Sequence, residues 1–386
     1  MSSTKISPLI ETLSDLVRIN SVNPEWGGPG EGEVAEYVTN FFNRHKIEVE
    51  QHEVLPGRPN VLARLPGLDR NRTLLFEAHM DTVGVSDMTI EPFNPIVTNN
   101  RLHGRGACDI KAGLAAMMHA ISEMKTAGTV PPTDILLAAV IDEEHVYRGV
   151  TWLIDSFETK PEAAIVAEPT QMEIASANKG VLRWQIVTHG KAAHSSKPEL
   201  GADAILAMAD LVRAIADDSQ RLARTEHPLV GKPTCNVGII EGGEQVNFVA
   251  ARCAINIDRR LIPGESIPKV LKSYESLLAS VGKLHPQIRF EMKSPALTDA
   301  PMETSVEEPI VIAAGMVADR TGLSSRPIGV PFGCDCTKLS RAGIPSIIFG
   351  PGSIDQAHTR DEFVPIHEVG FARDFYQGVA IEFGGT

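Results

Sequence analysis

Three short apolar runs in this chain end in side chains that bind metals or move protons. Leu74–Ala78 leads into His79-Met80-Asp81, Ile135–Ile141 into Asp142-Glu143-Glu144, and Ala163–Ala167 into Glu168-Pro169-Thr170. A fourth run, Ile344–Gly350, opens a glycine-rich loop that carries His358. In an extended chain residues i and i+2 face the same side, so Asp81 can reach His79. A carboxylate on the second imidazole nitrogen fixes the tautomer of a metal-bound histidine and raises its basicity. Adjacent carboxylates repel, and closing Asp142-Glu143-Glu144 into a crevice is costly unless cations or protons compensate. One acid of that run could hold a metal while its neighbour stays free to move protons. Asp109 lies just ahead of a helix beginning at Lys111, where capping alone also favours Asp.

Taken singly, these residues read as a strand-end turn, a cap and a solvated loop. Together they are two histidines and three carboxylates, His79, Asp109, Glu144, Glu168 and His358, at strand ends or in the loops beside them. Mixed imidazole and carboxylate ligation suits zinc, with cobalt or manganese as alternatives. A single catalytic zinc keeps only three protein ligands, so this set is too large for one ion. It suffices for two ions ~3.5–4 Å apart if one carboxylate bridges them, a known hydrolytic arrangement.

Such a set needs a scaffold that brings strand ends together. Over the first 170 or so residues helical and strand patterns alternate. Ile10, Leu13, Leu16 and Val17 repeat at helical spacing, as do Val34, Tyr37, Val38, Phe41 and Phe42. Lys111–Lys125 puts Leu114, Met117, Met118 and Ile121 on one face, with Gly128 as the stop. This alternation predicts an α/β layer structure with a largely parallel sheet, whose ligands gather outside the carboxyl ends of the strands. After about Asn178 the pattern becomes strand Val181–Thr188, helix Ala202–Asp217, strands Thr234–Ile240 and Arg252–Arg259, helix Ile267–Val281 and strand Gln287–Met292. That β-α-β-β-α-β order is ferredoxin-like. The first pattern then returns, with a helix over Pro309–Ala318 and a closing helix over Glu368–Phe383. The expected organisation is a catalytic α/β domain over 1–178 and 296–386, interrupted by a smaller domain over 179–295. Gly104-Arg105-Gly106 and the cluster Gly27–Gly32 lack the third glycine or the G-K-[ST] of a phosphate loop and are not read as one.

Composition narrows the function classes. Among 386 residues there are 36 Lys+Arg against 49 Asp+Glu, a formal charge of −13, which disfavours a nucleic-acid partner. The longest apolar run, Ile310–Ala318, is far short of the ~20 residues of a bilayer span, so no membrane association is expected. The opening Met-Ser-Ser-Thr-Lys lacks the apolar core of a secretory signal. Five scattered cysteines without C-x-x-C suit free thiols in a reducing cytoplasm. No G-x-S-x-G elbow is present, which argues against a serine hydrolase.

The motifs His79-Met80-Asp81, Gly104 to Lys111, Asp142-Glu143-Glu144, Ala167-Glu168-Pro169-Thr170 and the Gly350–His358 loop occur in an order and spacing that resembles a known family. It is the di-zinc acetylornithine deacetylase / succinyl-diaminopimelate desuccinylase family, related to aminoacylases and glutamate-releasing carboxypeptidases. The resemblance implies a zinc-exopeptidase-like catalytic domain and an inserted dimerisation lid. It implies that His79 and Glu168 bind one zinc, Glu144 and His358 the other, and that Asp109 bridges. Asp81 orients His79, and Glu143 is the general base that activates a water and hands its proton to the leaving nitrogen. Gly190-Lys191-Ala192-Ala193-His194 resembles the family's G-x-x-x-H loop, so His194 would stabilise the oxyanion of a partner subunit in a homodimer. Asn247 and Arg259 match positions that hold the substrate carboxylate, with Lys179 a further candidate. The expected substrate is a small N-acyl amino acid or dipeptide, and the Gly-Pro-Gly-Ser-Ile-x-Gln-Ala-His loop leans toward deacetylation. Desuccinylase, dipeptidase and carboxypeptidase activities, or a non-catalytic binding protein on the same fold, are the alternatives. Two departures stand out: Ala112 replaces a common glycine, and Cys334 takes a position often held by Thr or Ser near the substrate. The remaining histidines are expected to be structural or exposed, with His145 the one nearest the acid run.

Overall fold

The computed structural model describes residues 7–385, which fall into two compact units. The first takes the described chain through Ser176, then Thr304–Ile328 and Cys334 onward. The second takes Ala177–Glu303 together with Gly329–Gly333.

The first unit is built on a sheet whose order begins Glu48–Leu55, Arg58–Leu65, Thr133–Val140, Asp69–His79, Ala163–Val166, Ser346–Ile348. The last four of these run parallel to one another. Every residue of Thr133–Val140 is buried, as expected of a central strand covered on both faces. The largely parallel sheet expected from the alternation is therefore present at the centre. The antiparallel hairpin Glu48–Leu55/Arg58–Leu65 extends it at one edge. Periodicity missed that hairpin, because its outer strand is half exposed and its sequence, Glu-Val-Glu-Gln-His-Glu-Val-Leu, is mostly polar. The helix Ala112–Ala127 packs on Ile366–Glu382, which also packs on Pro309–Thr321. Phe349 stacks on Phe375 at 3.6 Å between centroids, and the Tyr376 hydroxyl donates to the Phe349 carbonyl at 2.6 Å. The anticipated stop, Gly128, sits at φ 69° at the end of Ala112–Ala127, a left-handed cap that glycine adopts without strain. Helix Ala112–Ala127 is preceded by the wide turn Ala107–Lys111, in which Asp109 (φ −118°, ψ 95°) is not helical. The cap position of that helix is Lys111, with no side-chain cap hydrogen bond, so Asp109 does not cap it.

The second unit has the β-α-β-β-α-β order Gly180–His189, Ala204–Leu222, Thr234–Gly242, Arg252–Leu261, Ile267–Gly282, Arg289–Met292. Its sheet order is Thr234–Gly242, Arg252–Leu261, Gly180–His189, Arg289–Met292, with every neighbour antiparallel. This is the ferredoxin-like arrangement the sequence order suggested. Trp184, Ile186, Leu211, Ile255 and Tyr274 lie in its core, with the Trp184 and Tyr274 rings packed edge to face.

Candidate metal centre

The four parallel strands of the first unit deliver their polar ends to one edge of the sheet. Thr133–Val140 leads to Asp142-Glu143-Glu144, its neighbour Asp69–His79 ends on His79, Ala163–Val166 leads to Glu168, and Ser346–Ile348 leads to the loop of His358. Adjacency of these strands is what turns four separate sequence motifs into one site.

Asp109 lies at its centre. One carboxylate oxygen is 3.1 Å from His79 Nε2, and the other is 3.3 Å from His358 Nε2. His79 Nε2 is also 3.8 Å from Glu168, and His358 Nε2 is 3.0 Å from Glu144. All five expected ligands therefore meet, and Asp109 presents one oxygen to each histidine. Among the described residues, two sets of donor atoms lie within 4.8 Å of one another: His79, Asp109 and Glu144, and His79, Glu143 and Glu168. Glu143 is thus as close to the donors as the ligands are. His145 belongs to neither set and lies 3.7 Å from Glu25. Glycine at 113 lets the helix behind Asp109 close on the Glu168 segment, since a Cβ there would lie 2.7 Å from that of Ala167.

Electrostatically the cluster is starved of positive charge. Burial pushes the Glu143 carboxyl well above the usual carboxylate range, Glu144, Asp335 and Asp109 add repulsion, and His79 opposes them. Glu168 is raised by burial and by Asp109 in the same way. Burial also works against a charged Asp109, but hydrogen bonds from His358 and His79 outweigh it and hold its carboxyl below the usual range. For His358 burial is likewise overcome, by Asp109 and Glu144, and its imidazole is lifted to about 11. A concentration of buried carboxylates with imidazoles at coordination range fits a pair of divalent cations, whose charge relieves the repulsion.

Around these donors lies a support of which the sequence reading anticipated only the contact of Asp81 with His79. His79 Nδ1 is 3.0 Å from the Asp81 carbonyl and 3.6 Å from its carboxylate, so backbone and side chain both face the imidazole. The Asp81 carboxylate also accepts from the backbone N–H groups of Glu143 and Glu144 at 3.1 and 3.2 Å, and from Asn23 at 2.7 Å. The carboxylate is thus tied to the backbone of the acid pair, while the Asp81 carbonyl is the closer partner of the histidine. Asp142, the third acid of the run, adopts φ 67° and turns into a buried network. It accepts from Arg58, Asn23 and Arg148, while its own N–H donates to Glu31 at 3.0 Å. Arg58 in turn pairs bidentately with Glu31 at 2.6 and 2.7 Å. Glu31 lies within the glycine cluster rejected above as a phosphate loop. Nothing in the local sequence marks it. Arg58→Met should leave Glu31 buried without its cation and Asp142 with Arg148 as its remaining one, at a cost of about 3–5 kcal/mol. Denaturant unfolding of the metal-free protein would measure it, and a loss below about 1 kcal/mol would show the network to be dispensable.

With this geometry in place, the chain matches the family described as Peptidase family M20/M25/M40 over residues 75–382. It belongs to that family. This M20 chain is 29% identical to an acetylornithine deacetylase of Vibrio campbellii, over 92% of each protein. It is 27% identical to an acetylornithine deacetylase of Buchnera aphidicola, over 93% of this chain and 94% of that one. Its fold is similar to aminopeptidase PepT of Bacillus cereus (TM-score 0.80, 21% identity, 98% of each chain). It is also similar to a dinuclear metal-binding M20 peptidase of Bacillus subtilis (TM-score 0.74, 16% identity, covering 97% and 96%). The protein is an M20-family metallo-hydrolase. Among its described residues no helix is long and apolar enough to cross a membrane.

The remaining M20 site candidates belong to the second unit. His194 and Asn247 are neighbours there: Ser195 N–H donates to the Asn247 carbonyl at 2.9 Å, and His194 bridges to Phe248. The His194 Nδ1 sits 2.8 Å from the Ser196 hydroxyl on an exposed loop. Arg259 is buried and paired with Glu265, with its Nε lacking a hydrogen-bond partner. Lys179 donates to the Lys232 carbonyl at 2.6 Å, and partial burial, with Arg260 and Arg259 nearby, lowers its pKa.

Proposed function

We propose that this protein is a di-zinc hydrolase that cleaves the amide of an N-acyl amino acid, with acetylornithine deacetylase-like specificity. The observation that carries the reading is Asp109, whose two oxygens face two different histidines, each beside a further carboxylate. His79, Glu168 and Asp109 would hold one ion, and Glu144, His358 and Asp109 the other. Bound zinc would supply Lewis acidity to the scissile carbonyl and to a water molecule; cobalt or manganese could serve in its place.

The chain's own residues supply the rest. Glu143 is held by Asp81 through its backbone N–H, and its carboxyl lies beside His79 and Glu168. It takes the proton of the attacking water and passes it to the leaving nitrogen. Asp81 keeps His79 and the acid pair in register. His194 reaches across to the active site of the partner subunit and donates to the developing oxyanion there, aided by the shared Asn247 loop. Arg259 takes the substrate carboxylate through its unused Nε, together with Asn247 and Lys179.

The second unit serves in this reading as a lid and dimerisation domain, over 179–295 with the catalytic domain at 1–178 and 296–386. Its edge strand Thr234–Gly242 supports a homodimer, since Ile239 and Ile240 are more than half exposed there. The free cysteines support a cytoplasmic setting. The acetylornithine deacetylase names of the relatives above support the substrate preference.

A panel of N-acetylornithine, N-succinyl-diaminopimelate, other N-acetyl amino acids and dipeptides, run with metal analysis, tests the assignment. Chelation should abolish turnover and zinc should restore it. N-acetylornithine should be hydrolysed with the highest kcat/KM of the panel. No turnover of N-acetylornithine would remove the deacetylase preference, and activity that survives chelation would remove the metal chemistry.

A further inference from the structure

The loop Gly104–Asp109, which has the look of a phosphate loop but lacks its full motif, does wrap around an anion. That anion belongs to the chain itself. The Glu362 side chain is fully buried, and its Oε1 accepts from the backbone N–H groups of Cys108 at 2.8 Å and Asp109 at 3.1 Å. Its Oε2 accepts from Gly106 N–H at 3.1 Å and from the buried Arg105 guanidinium at 2.7 Å. The Glu362 backbone carbonyl takes the N–H of Gly104 at 3.0 Å. Backbone N–H groups that converge in this way form an anion-binding nest. Gly106 at φ 79° has the left-handed backbone such a curl needs, and a Cβ there would lie 2.8 Å from the Thr82 methyl.

Glu362 lies four residues beyond His358, and the N–H of Asp109 is among its donors. One side chain thus joins the loop carrying the bridging carboxylate to the loop carrying a histidine that touches it.

We propose that Glu362 is a positioning residue of the metal centre. It fills the 104–109 nest, holds the Asp109 carboxylate between His79 and His358, and keeps the two loops in register. This rests on the di-metal reading above. Nothing in the roles assigned to the five ligands requires it, because Glu362 touches none of the side-chain donor atoms among its hydrogen bonds.

Glu362→Gln keeps the shape but replaces one acceptor oxygen by an NH2 that faces N–H donors. Titration of the metal-free protein with Co2+, followed by visible absorption, reads ion count, affinity and ligand field without assaying turnover. Wild type should bind two ions. Glu362→Gln should bind the weaker one 10–100-fold less tightly, with an altered spectrum, as expected when support behind a ligand is lost. Thr188→Val, which removes a buried hydrogen bond to the Ala204 carbonyl within the second unit, serves as the control for general destabilisation and should keep both affinities. If Glu362→Gln matches wild type in affinity and spectrum, or Thr188→Val shows the same loss, the proposal is overturned. Should Glu362→Gln not fold, Arg105→Gln weakens the same clamp while sparing the carboxylate. It should give a smaller shift in the same direction, and an unchanged titration would be equally fatal. Wild type binding fewer than two ions would instead bring down the di-metal reading, and this inference with it.

Discussion

Glu143→Ala is expected to bind both zinc ions while losing turnover by roughly 10²–10⁴-fold, the range general acid–base catalysis supplies. The carboxyl is buried within a ring of acids, and its backbone N–H is held by Asp81. The proximity of Glu143 to His79 and Glu168 makes this experiment decisive between two roles. A base can be removed without emptying the site, whereas a ligand cannot. Metal analysis beside kcat therefore reads the role directly. Lost zinc would make Glu143 a ligand, and unchanged turnover would remove it from the chemistry altogether.

The second large effect is expected at Asp109. Asp109→Ala removes the carboxylate whose two oxygens approach the two histidines, so affinity for both ions should fall together. Turnover should drop by at least ~10³-fold, since Lewis-acid stabilisation is worth several kcal/mol and each 1.4 kcal/mol is a factor of ten. His358→Ala provides the contrast. It strips one histidine from the side shared with Glu144, and about one ion per chain should remain with His79 and Glu168. Equal metal content in the two variants would mean that Asp109 does not bridge. Dialysis against buffered zinc, followed by elemental analysis, separates the cases.

These expectations were accessible in advance because ligand-type residues at strand ends are a local signal. An apolar run stops, a His or an acid follows, and a parallel sheet gathers such ends on one edge whatever the loops between them do. His79, Glu144, Glu168 and His358 all sit within such patterns. Helices with a strong apolar stripe, such as Ala112–Ala127 with its glycine stop, are local in the same sense. The hairpin Glu48–Leu55/Arg58–Leu65 was not legible, because a half-exposed edge strand has little apolar periodicity to offer.

The chain order and residue types by themselves determined the α/β class, the ferredoxin-like insertion and the set of candidate ligands. Each depends on short-range patterning that a single sequence displays. Only the folded structure decided which groups each acid meets. Asp142 and Glu143 are adjacent and chemically alike in sequence. Yet Asp142 turns at φ 67° into the cation Arg58, while Glu143 is left beside His79 with no such partner. Glu31, Arg58, Asn23 and Glu362 carry no local mark, because their importance lies in partners tens to hundreds of positions away. Charge in a buried site is balanced in three dimensions, and the groups that balance it are chosen by distance through space rather than by position along the chain.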